Sequence, residues 1–124
     1  MGDSFKSYRD LEVWQKAMAL VREIYDVTDG YPGEEKFGLV SKIRRSAVSI
    51  ASNIAKGHAR AGTAEFKHSV SMAMGSVAER ETQIILSADL GHVNGDAGAN
   101  LLNQLDIIGK LLRGLHKSLE TCKA

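Results

Sequence analysis

The sequence predicts an all-α fold, an antiparallel up-down-up-down four-helix bundle. Three observations indicate it: apolar residues recur at steps of three and four along four long stretches, short turn segments separate these stretches, and the 124 residues include a single proline. A β-sandwich would need many short strands and frequent breaks. With 44% hydrophobic residues, the chain is expected to form one domain, residues 1–124, whose core needs no metal or disulfide.

The first helix is predicted over residues 10–29. The pair Asp29-Gly30 is expected to supply a left-handed helix cap, and Pro32 cannot continue the helix. One apolar stripe along this helix has the spacing of a core-facing surface. Its members are Leu11, Trp14, Met18, Val21 and Tyr25.

A second apolar stripe runs beside the first one, so the apolar face of helix one is wider than a single core requires. On a monomer this stripe would be an exposed patch, which soluble monomers rarely tolerate. We therefore expect a homo-oligomer in which a second subunit covers the stripe, and head-to-tail contacts of this kind can close into a ring. The expected interface residues are Val13, Ala17, Leu20, Ile24 and Val27.

Helices two and three are predicted over residues 35–60 and 64–90. Glu34 and Glu35 are favourable near the N-terminus of helix two, and Thr63 is a candidate N-cap for helix three. Both segments carry apolar residues at helical spacing and end in glycine-containing turns.

Helix four is predicted over residues 96–121, after a turn at Asn94 that offers an N-cap. Its apolar residues keep an unbroken alternation of four and three, the heptad spacing that antiparallel neighbours use. We expect one core to contain Trp14, Met18, Leu105, Ile108 and Leu112.

The charges are unevenly distributed although the net charge is only +1. Residues 10–29 carry two basic and five acidic groups, whereas residues 34–62 carry six basic and two acidic groups. One polar face of helix two could therefore follow phosphates and bind nucleic acid in a salt-dependent way. An ordinary solvated helix face is the alternative. The candidate residues are Lys42, Arg45, Ser49, Ser52, Lys56 and Arg60.

Arg44 lies on a different face of helix two, in line with apolar residues. A buried arginine needs a partner. We expect Arg44 to form a structural ion pair with Glu79 or Glu81 of helix three, within one subunit or across an interface, rather than to act in catalysis.

The sequence predicts neither a metal site nor a catalytic centre. Glu65 and His68 form one Glu-x-x-His pair, but di-iron bundles need two such pairs and two further glutamates. Nucleophile, base and phosphate-loop motifs are also missing from the sequence, so we expect a protein that is not an enzyme and uses no cofactor. Asn53 and Gln83 are expected to satisfy hydrogen bonds near the core.

Several segments together form the pattern of a known family. They are residues 10–17 (DLEVWQKA), Pro32 with residues 37–39 (FGL), residues 43–55 (IRRSAVSIASNIA), Glu65-Phe66, Gly75-Ser76 and Glu81-Thr82-Gln83. These segments resemble the four-helix-bundle family encoded by intervening sequences of bacterial 23S rRNA genes, which is also similar to the accessory variability proteins of diversity-generating retroelements. The resemblance extends over almost the whole chain.

This resemblance implies a ring of five subunits, with nucleic-acid or protein binding rather than a reaction. Two positions depart from the family pattern. Ala51 stands where the family usually has proline, which should leave helix two straighter, and Lys56 stands where it usually has glutamate, which makes the surface more basic. The expected function is nucleic-acid binding through helix two, and the alternative is a scaffold that docks a partner protein on the ring.

The expected compartment is the cytoplasm. Cys122 is the single cysteine and cannot form an internal disulfide, which fits a reducing environment. No segment approaches the length of a membrane span, and we expect no membrane partner.

Overall fold

The structure is a computed structural model that describes residues 7–60 and 62–121, so Cys122 lies outside the described residues. Four α-helices follow one another, and no strand occurs in these two ranges. The helices are α1 (Glu12–Thr28), α2 (Leu39–Ala59), α3 (Thr63–Asp89) and α4 (Gly95–Thr121). The predicted all-α class with four helices is therefore confirmed. None of the described helices has the length and apolar character to cross a membrane.

Helix α2 begins at Leu39, later than the predicted start at residue 35. The reason is a short 3-10 turn at Gly33–Glu35, which the chain enters from Pro32. The carboxylate of Glu35 then reaches forward and accepts a hydrogen bond of 3.4 Å from the backbone N–H of Leu39. The predicted acidic residue therefore does act at the N-terminus of α2, but from the preceding turn.

Of the other three predicted caps, one agrees with the structure and two do not. Gly30 has no positive φ, so the predicted left-handed cap at Asp29-Gly30 is wrong, and Asp29 ends α1 with right-handed helical angles. Asn94 Oδ1 accepts a hydrogen bond of 2.8 Å from the backbone N–H of Ala97, as an N-cap of α4 would. At α3, Thr63 is already the first helical residue and the cap position is Gly62, with a φ of 117°. Glycine adopts this left-handed backbone without the penalty of a Cβ atom.

A single apolar core is shared by all four helices. Burial of such side chains is the main favourable contribution to folding. The core includes the predicted Leu105, Ile108 and Leu112 of α4. Its largest fully buried apolar side chains are Leu20, Ile24, Ile43, Ile50, Ile54, Val70, Ile84, Leu101, Leu105, Ile108 and Leu112.

The two stripes of α1 have the opposite roles to those predicted. Helix α1 contacts both α2 and α4, so the stripe that points between these helices faces the core. Val13, Ala17, Leu20 and Ile24 are buried there, and Val27 is partly buried against the same core. The expectation that these five residues form an exposed patch on a monomer is therefore wrong.

The Trp14 stripe lies at the edge of the core instead. Trp14 and Met18 are partly buried, and Tyr25 is 43% exposed. The Trp14 ring packs edge-on against Tyr8, with 5.3 Å between ring centroids. Periodicity places both stripes on one broad apolar face and cannot decide which one the neighbouring helices cover.

Helices α2 and α3 approach each other closely through small residues. A Cβ atom at Gly57 would lie 2.5 Å from the Cβ of Ser69. Further along, the hydroxyl oxygens of Ser49 and Ser76 are 3.1 Å apart. This close approach brings polar side chains of both helices together.

Candidate anion-binding cleft between α2 and α3

A surface cleft of about 430 Å³ lies along the contact between α2 and α3. Four of its lining residues come from α2 at helical spacing, which places them on one face. Two are exposed cations that form no ion pair with another described residue. One acidic side chain of α3 also borders the cleft. The lining residues are Lys42, Arg45, Ser46, Ser49 and Glu79.

Hydrogen bonds fix the serine side chains of the cleft. The Ser46 hydroxyl can donate its single proton to either of two acceptors. Its oxygen lies 2.9 Å from the Lys42 carbonyl oxygen and 3.1 Å from Gln83 Oε1. Asn53 Nδ2 donates to the carbonyl oxygen of Ser49 at 2.9 Å and to its hydroxyl oxygen at 3.1 Å. The expected hydrogen-bonding role of Asn53 and Gln83 is thus present, and Gln83 is buried in the α2–α3 contact.

Arg80 of α3 lies behind Ser46 and is 0% exposed. Its Nη2 donates a hydrogen bond to Ser46 Oγ, whereas its Nε and Nη1 have no hydrogen-bond partner. In the described part of the chain, Arg80 also forms no ion pair. Burial lowers the pKa of Arg80 to about 10, against the opposing effect of the Glu79 carboxylate. Arg80 is therefore a buried cation at neutral pH.

Arg80 was not among the residues predicted from the sequence, although its spacing on α3 indicates burial. Ala73, Val77 and Ile84 are buried on α3, and Arg80 falls between them at the same helical rhythm. A charged residue in step with an apolar stripe is buried with the stripe. The spacing of α3 alone would have indicated this buried arginine.

Arg44, for which burial and an ion pair were predicted, has different contacts. Its Nε donates to Thr28 Oγ1 at 2.9 Å, and its Nη2 donates to the Tyr25 carbonyl oxygen at 3.2 Å. The guanidinium also stacks on the Tyr25 ring, 4.4 Å from the ring centroid. Within one subunit, the predicted pairing with Glu79 or Glu81 is wrong, because α1 rather than α3 supplies the partners of Arg44. A pairing across a subunit interface stays a prediction.

The two glutamates lie in separate places. Glu79 borders the α2–α3 cleft, and Glu81 lines a groove between α3 and α4 with Asp106 and Arg113. Neither position brings a glutamate carboxylate into an ion pair with a described arginine of α2.

The six residues of the predicted basic face do not all lie in the cleft. Lys42, Arg45 and Ser49 line the cleft. Lys56 is exposed and forms no ion pair with a described residue, and Ser52 borders a different groove, next to Trp14. Their role in binding nucleic acid stays a prediction.

The sixth residue, Arg60, forms an ion pair of 3.6 Å with Glu65, and both side chains are 57% exposed. Exposed pairs of this kind contribute little to stability. This contact also occupies the glutamate of the Glu-x-x-His pair. Across residues 7–60 and 62–121, no group of three or more His, Cys, Asp and Glu side chains is placed to hold a metal ion.

These observations define an all-α protein of four helices, with a cationic surface cleft between its second and third helices. The sequence model of the 23S rRNA-intervening sequence proteins matches residues 9–114. The chain belongs to this family. No curated protein matches it.

A solved structure has a similar fold. It is the crystal structure of a protein with unknown function from the S23 ribosomal protein family of Bacteroides thetaiotaomicron VPI-5482. The two chains share 24% sequence identity, and the TM-score is 0.79 over 85% of this chain and 95% of the other. This similarity shows the fold alone.

Proposed function

We propose that this protein is a non-enzymatic, oligomeric helical bundle that binds nucleic acid through the basic face of α2. The carrying observation is the α2–α3 cleft, where the exposed cations Lys42 and Arg45 stand in front of the buried cation Arg80. With a net charge of only +1, attraction to a polyanion must come from such a local concentration of charge.

Phosphate contacts explain what the cleft would contribute. Lysine and arginine side chains attract backbone phosphates irrespective of sequence. The Ser49 hydroxyl can donate a hydrogen bond to a phosphate oxygen when Ser76 is the donor in the Ser49–Ser76 contact. Lys42 and Arg45 are available for this because neither is engaged in an ion pair with a described residue. Arg60 is a weaker candidate, since Glu65 partly neutralises it.

The test is charge reversal in the cleft, measured by binding of structured RNA and duplex DNA at several salt concentrations. The double variant Lys42→Glu/Arg45→Glu should lose binding by at least about tenfold at low salt while its helical content is unchanged. The matched control is Arg22→Glu/Lys117→Glu, which makes the same charge change at exposed positions on α1 and α4.

Equal losses in the two double variants would show that only net charge matters and would remove the cleft from the proposal. If the unmodified protein binds neither RNA nor DNA at low salt, the nucleic-acid function is wrong. The scaffold function would then be favoured.

A second candidate function, a scaffold that docks a partner protein, is supported by apolar surface elsewhere. A groove of about 270 Å³ runs beside Trp14, between α1 and α2. Phe37, in the connection before α2, is 88% exposed. Exposed apolar surface of this kind favours a protein contact. The groove is lined by Tyr8, Trp14, Met18, Val21, Val48, Ala51, Ser52 and Ala55.

The proposed assembly is a ring of antiparallel bundles in the cytoplasm, with five subunits as the family resemblance implies. The antiparallel order is supported by contacts that pair early residues of one helix with late residues of the next. Ser46 contacts Gln83, and Ser49 contacts Ser76. Lys67 forms an ion pair of 3.4 Å with Glu120. The similarity to accessory variability proteins stays a prediction from the sequence.

A further inference from the structure

We propose that the α2–α3 cleft binds one phosphate group of the nucleic-acid backbone, with Lys42 and Arg45 in contact with it and Arg80 as a buried positioning cation behind Ser46. This inference rests on the proposed function and assigns a ligand group to its site. Arg80 would act through the field at Ser46 rather than by touching the phosphate, because it is fully buried.

The buried charge of Arg80 lowers the stability of the folded protein. Burying a charge without an opposite charge is unfavourable, and each buried donor without a partner adds to the cost. Arg80 has two such nitrogens, Nε and Nη1, and no ion pair with a described residue. An anion held in the adjacent cleft would offset this cost, so Arg80 favours anion binding.

The position of Ser46 connects the buried charge to the cleft. Ser46 lines the cleft and also accepts the hydrogen bond from Arg80 Nη2. Charges interact more strongly across protein than across water, so the positive charge of Arg80 is felt at the cleft wall. Lys42 and Arg45 stand on the same face of α2, where both can reach one tetrahedral anion.

The chemistry of the lining indicates a phosphate rather than a base. Bases of single strands usually stack on aromatic side chains, and the cleft lining contains lysine, arginine, serine and glutamate only. Glu79 borders the cleft and repels anions, but the two exposed cations outweigh its single charge and Arg80 behind them adds to the excess. Removing the Glu79 charge should therefore strengthen phosphate binding.

The experiment measures the thermal unfolding of the full chain in inorganic phosphate and in sodium chloride at equal ionic strength. For the unmodified protein we expect phosphate to raise Tm by about 2–5 °C more than chloride does. Lys42→Gln/Arg45→Gln should lose most of this difference and keep only the general stabilising effect that phosphate has on folded proteins. Arg22→Gln/Lys117→Gln, which removes two exposed cations elsewhere, should keep it.

Two substitutions test whether the positive charge of Arg80 is needed for phosphate binding. Arg80→Met, which removes the cation, should lose the phosphate-specific rise in Tm, and Arg80→Lys, which keeps a cation, should retain at least half of it. If the role of Arg80 is purely structural, both substitutions change Tm, but the rise in Tm from chloride to phosphate stays the same as in the unmodified protein. If Arg80→Met does not fold, Glu79→Gln decides, because this exposed change should increase the phosphate-specific rise.

The outcomes separate this inference from the proposed function. A phosphate response that persists in Arg80→Met, or a Glu79→Gln variant with an unchanged response, overturns the inference. RNA binding by the unmodified protein without any phosphate-specific rise overturns the inference and leaves the proposed function. A phosphate response that requires Arg80, together with no RNA or DNA binding, supports the phosphate site and overturns the nucleic-acid function.

Discussion

Gly57 of α2 faces Ser69 of α3 at a point where the two helices leave no room for a Cβ atom at residue 57. A Cβ atom at Gly57 would lie 2.5 Å from Ser69 Cβ and 3.1 Å from a ring carbon of Phe66. Such distances are far below ordinary van der Waals contact. The glycine therefore sets the spacing between α2 and α3, and with it the width of the cleft further along the same contact.

Gly57→Ala should destabilise the protein by about 1–3 kcal/mol, because the added methyl group forces the helices apart. Urea unfolding followed by circular dichroism measures this. Gly75→Ala is the matched control, since a Cβ at Gly75 meets nothing within 4 Å. That control should gain up to about 1 kcal/mol from helix propensity. Equal effects of the two changes would contradict the close contact.

The reversed roles of the two α1 stripes give a second prediction. Leu20 is 0% exposed, whereas Met18 is only partly buried. Leu20→Ala should therefore cost about 2–5 kcal/mol, and Met18→Ala should cost clearly less. Urea unfolding of the two variants checks the order. A larger loss for Met18→Ala would restore the arrangement expected from the sequence.

The variant Leu20→Glu tests the burial of Leu20 in a second way. A carboxylate at this position would lie inside the core without a partner, so the chain should unfold rather than dissociate into folded subunits. Loss of the helical circular dichroism signal distinguishes unfolding from dissociation.

The sequence predicted the fold class and the number of helices because both depend on periodicity, which each helix carries within itself. The choice between the Trp14 and Leu20 stripes depends on where α2 and α4 contact α1, and spacing within one helix does not contain this information. Arg44 shows the same limit. The spacing correctly placed Arg44 on a partly apolar face of α2, but its partners Thr28 and Tyr25 come from α1.

The cleft was predictable only in part. Lys42, Arg45 and Ser49 could be placed on one face from their spacing, whereas the buried cation behind them comes from α3. Ser46 joins the two, through a hydrogen bond that depends on the packing of α2 against α3. Charge counts along α2 could not include Arg80, although the apolar rhythm of α3 marked its position.

The Trp14 groove gives a third prediction, in which the protein that docks there is a second copy of this chain. Light scattering of the unmodified protein at micromolar concentration should give a mass near five times the 13.4 kDa of one chain. Val48 borders the groove and is 41% exposed. Val48→Glu should lower the mass and leave the helical content intact, because a charge in the contact is left without solvent or partner.

Ile85→Glu is the control for this experiment, since Ile85 is a half-exposed apolar residue on α3 and lies outside the groove. If Ile85→Glu lowers the mass and Val48→Glu does not, the subunits meet through α3. A stable 13.4 kDa species in the unmodified protein would contradict the proposed oligomer. A dimer or tetramer would contradict only the number of five subunits.

The buried charge of Arg80 gives the last prediction, a dependence of stability on pH. Burial lowers the pKa of Arg80 in the folded protein to about 10, below its value in the unfolded chain. Below pH 10 the guanidinium is charged in both states, and the folded state carries the full cost of the buried charge. As the pH rises through 10, the folded state releases the proton first, so this cost decreases.

Arg80→Met removes the charge and should raise the unfolding free energy at pH 7 by roughly 1–4 kcal/mol, as is common when hydrophobic residues replace buried charges. The gain should shrink between pH 9 and pH 11, because the unmodified protein loses the same cost by releasing a proton. Urea unfolding of both proteins at pH 7 and near pH 10.5 measures this. The difference in unfolding free energy between the two proteins is compared at the two pH values, so the titration of lysines and tyrosines, which both proteins share, cancels. A gain that is the same at both pH values would show that the charge of Arg80 is already compensated in the folded protein. A loss of stability at pH 7 would show that its hydrogen bond to Ser46 outweighs the cost of burial.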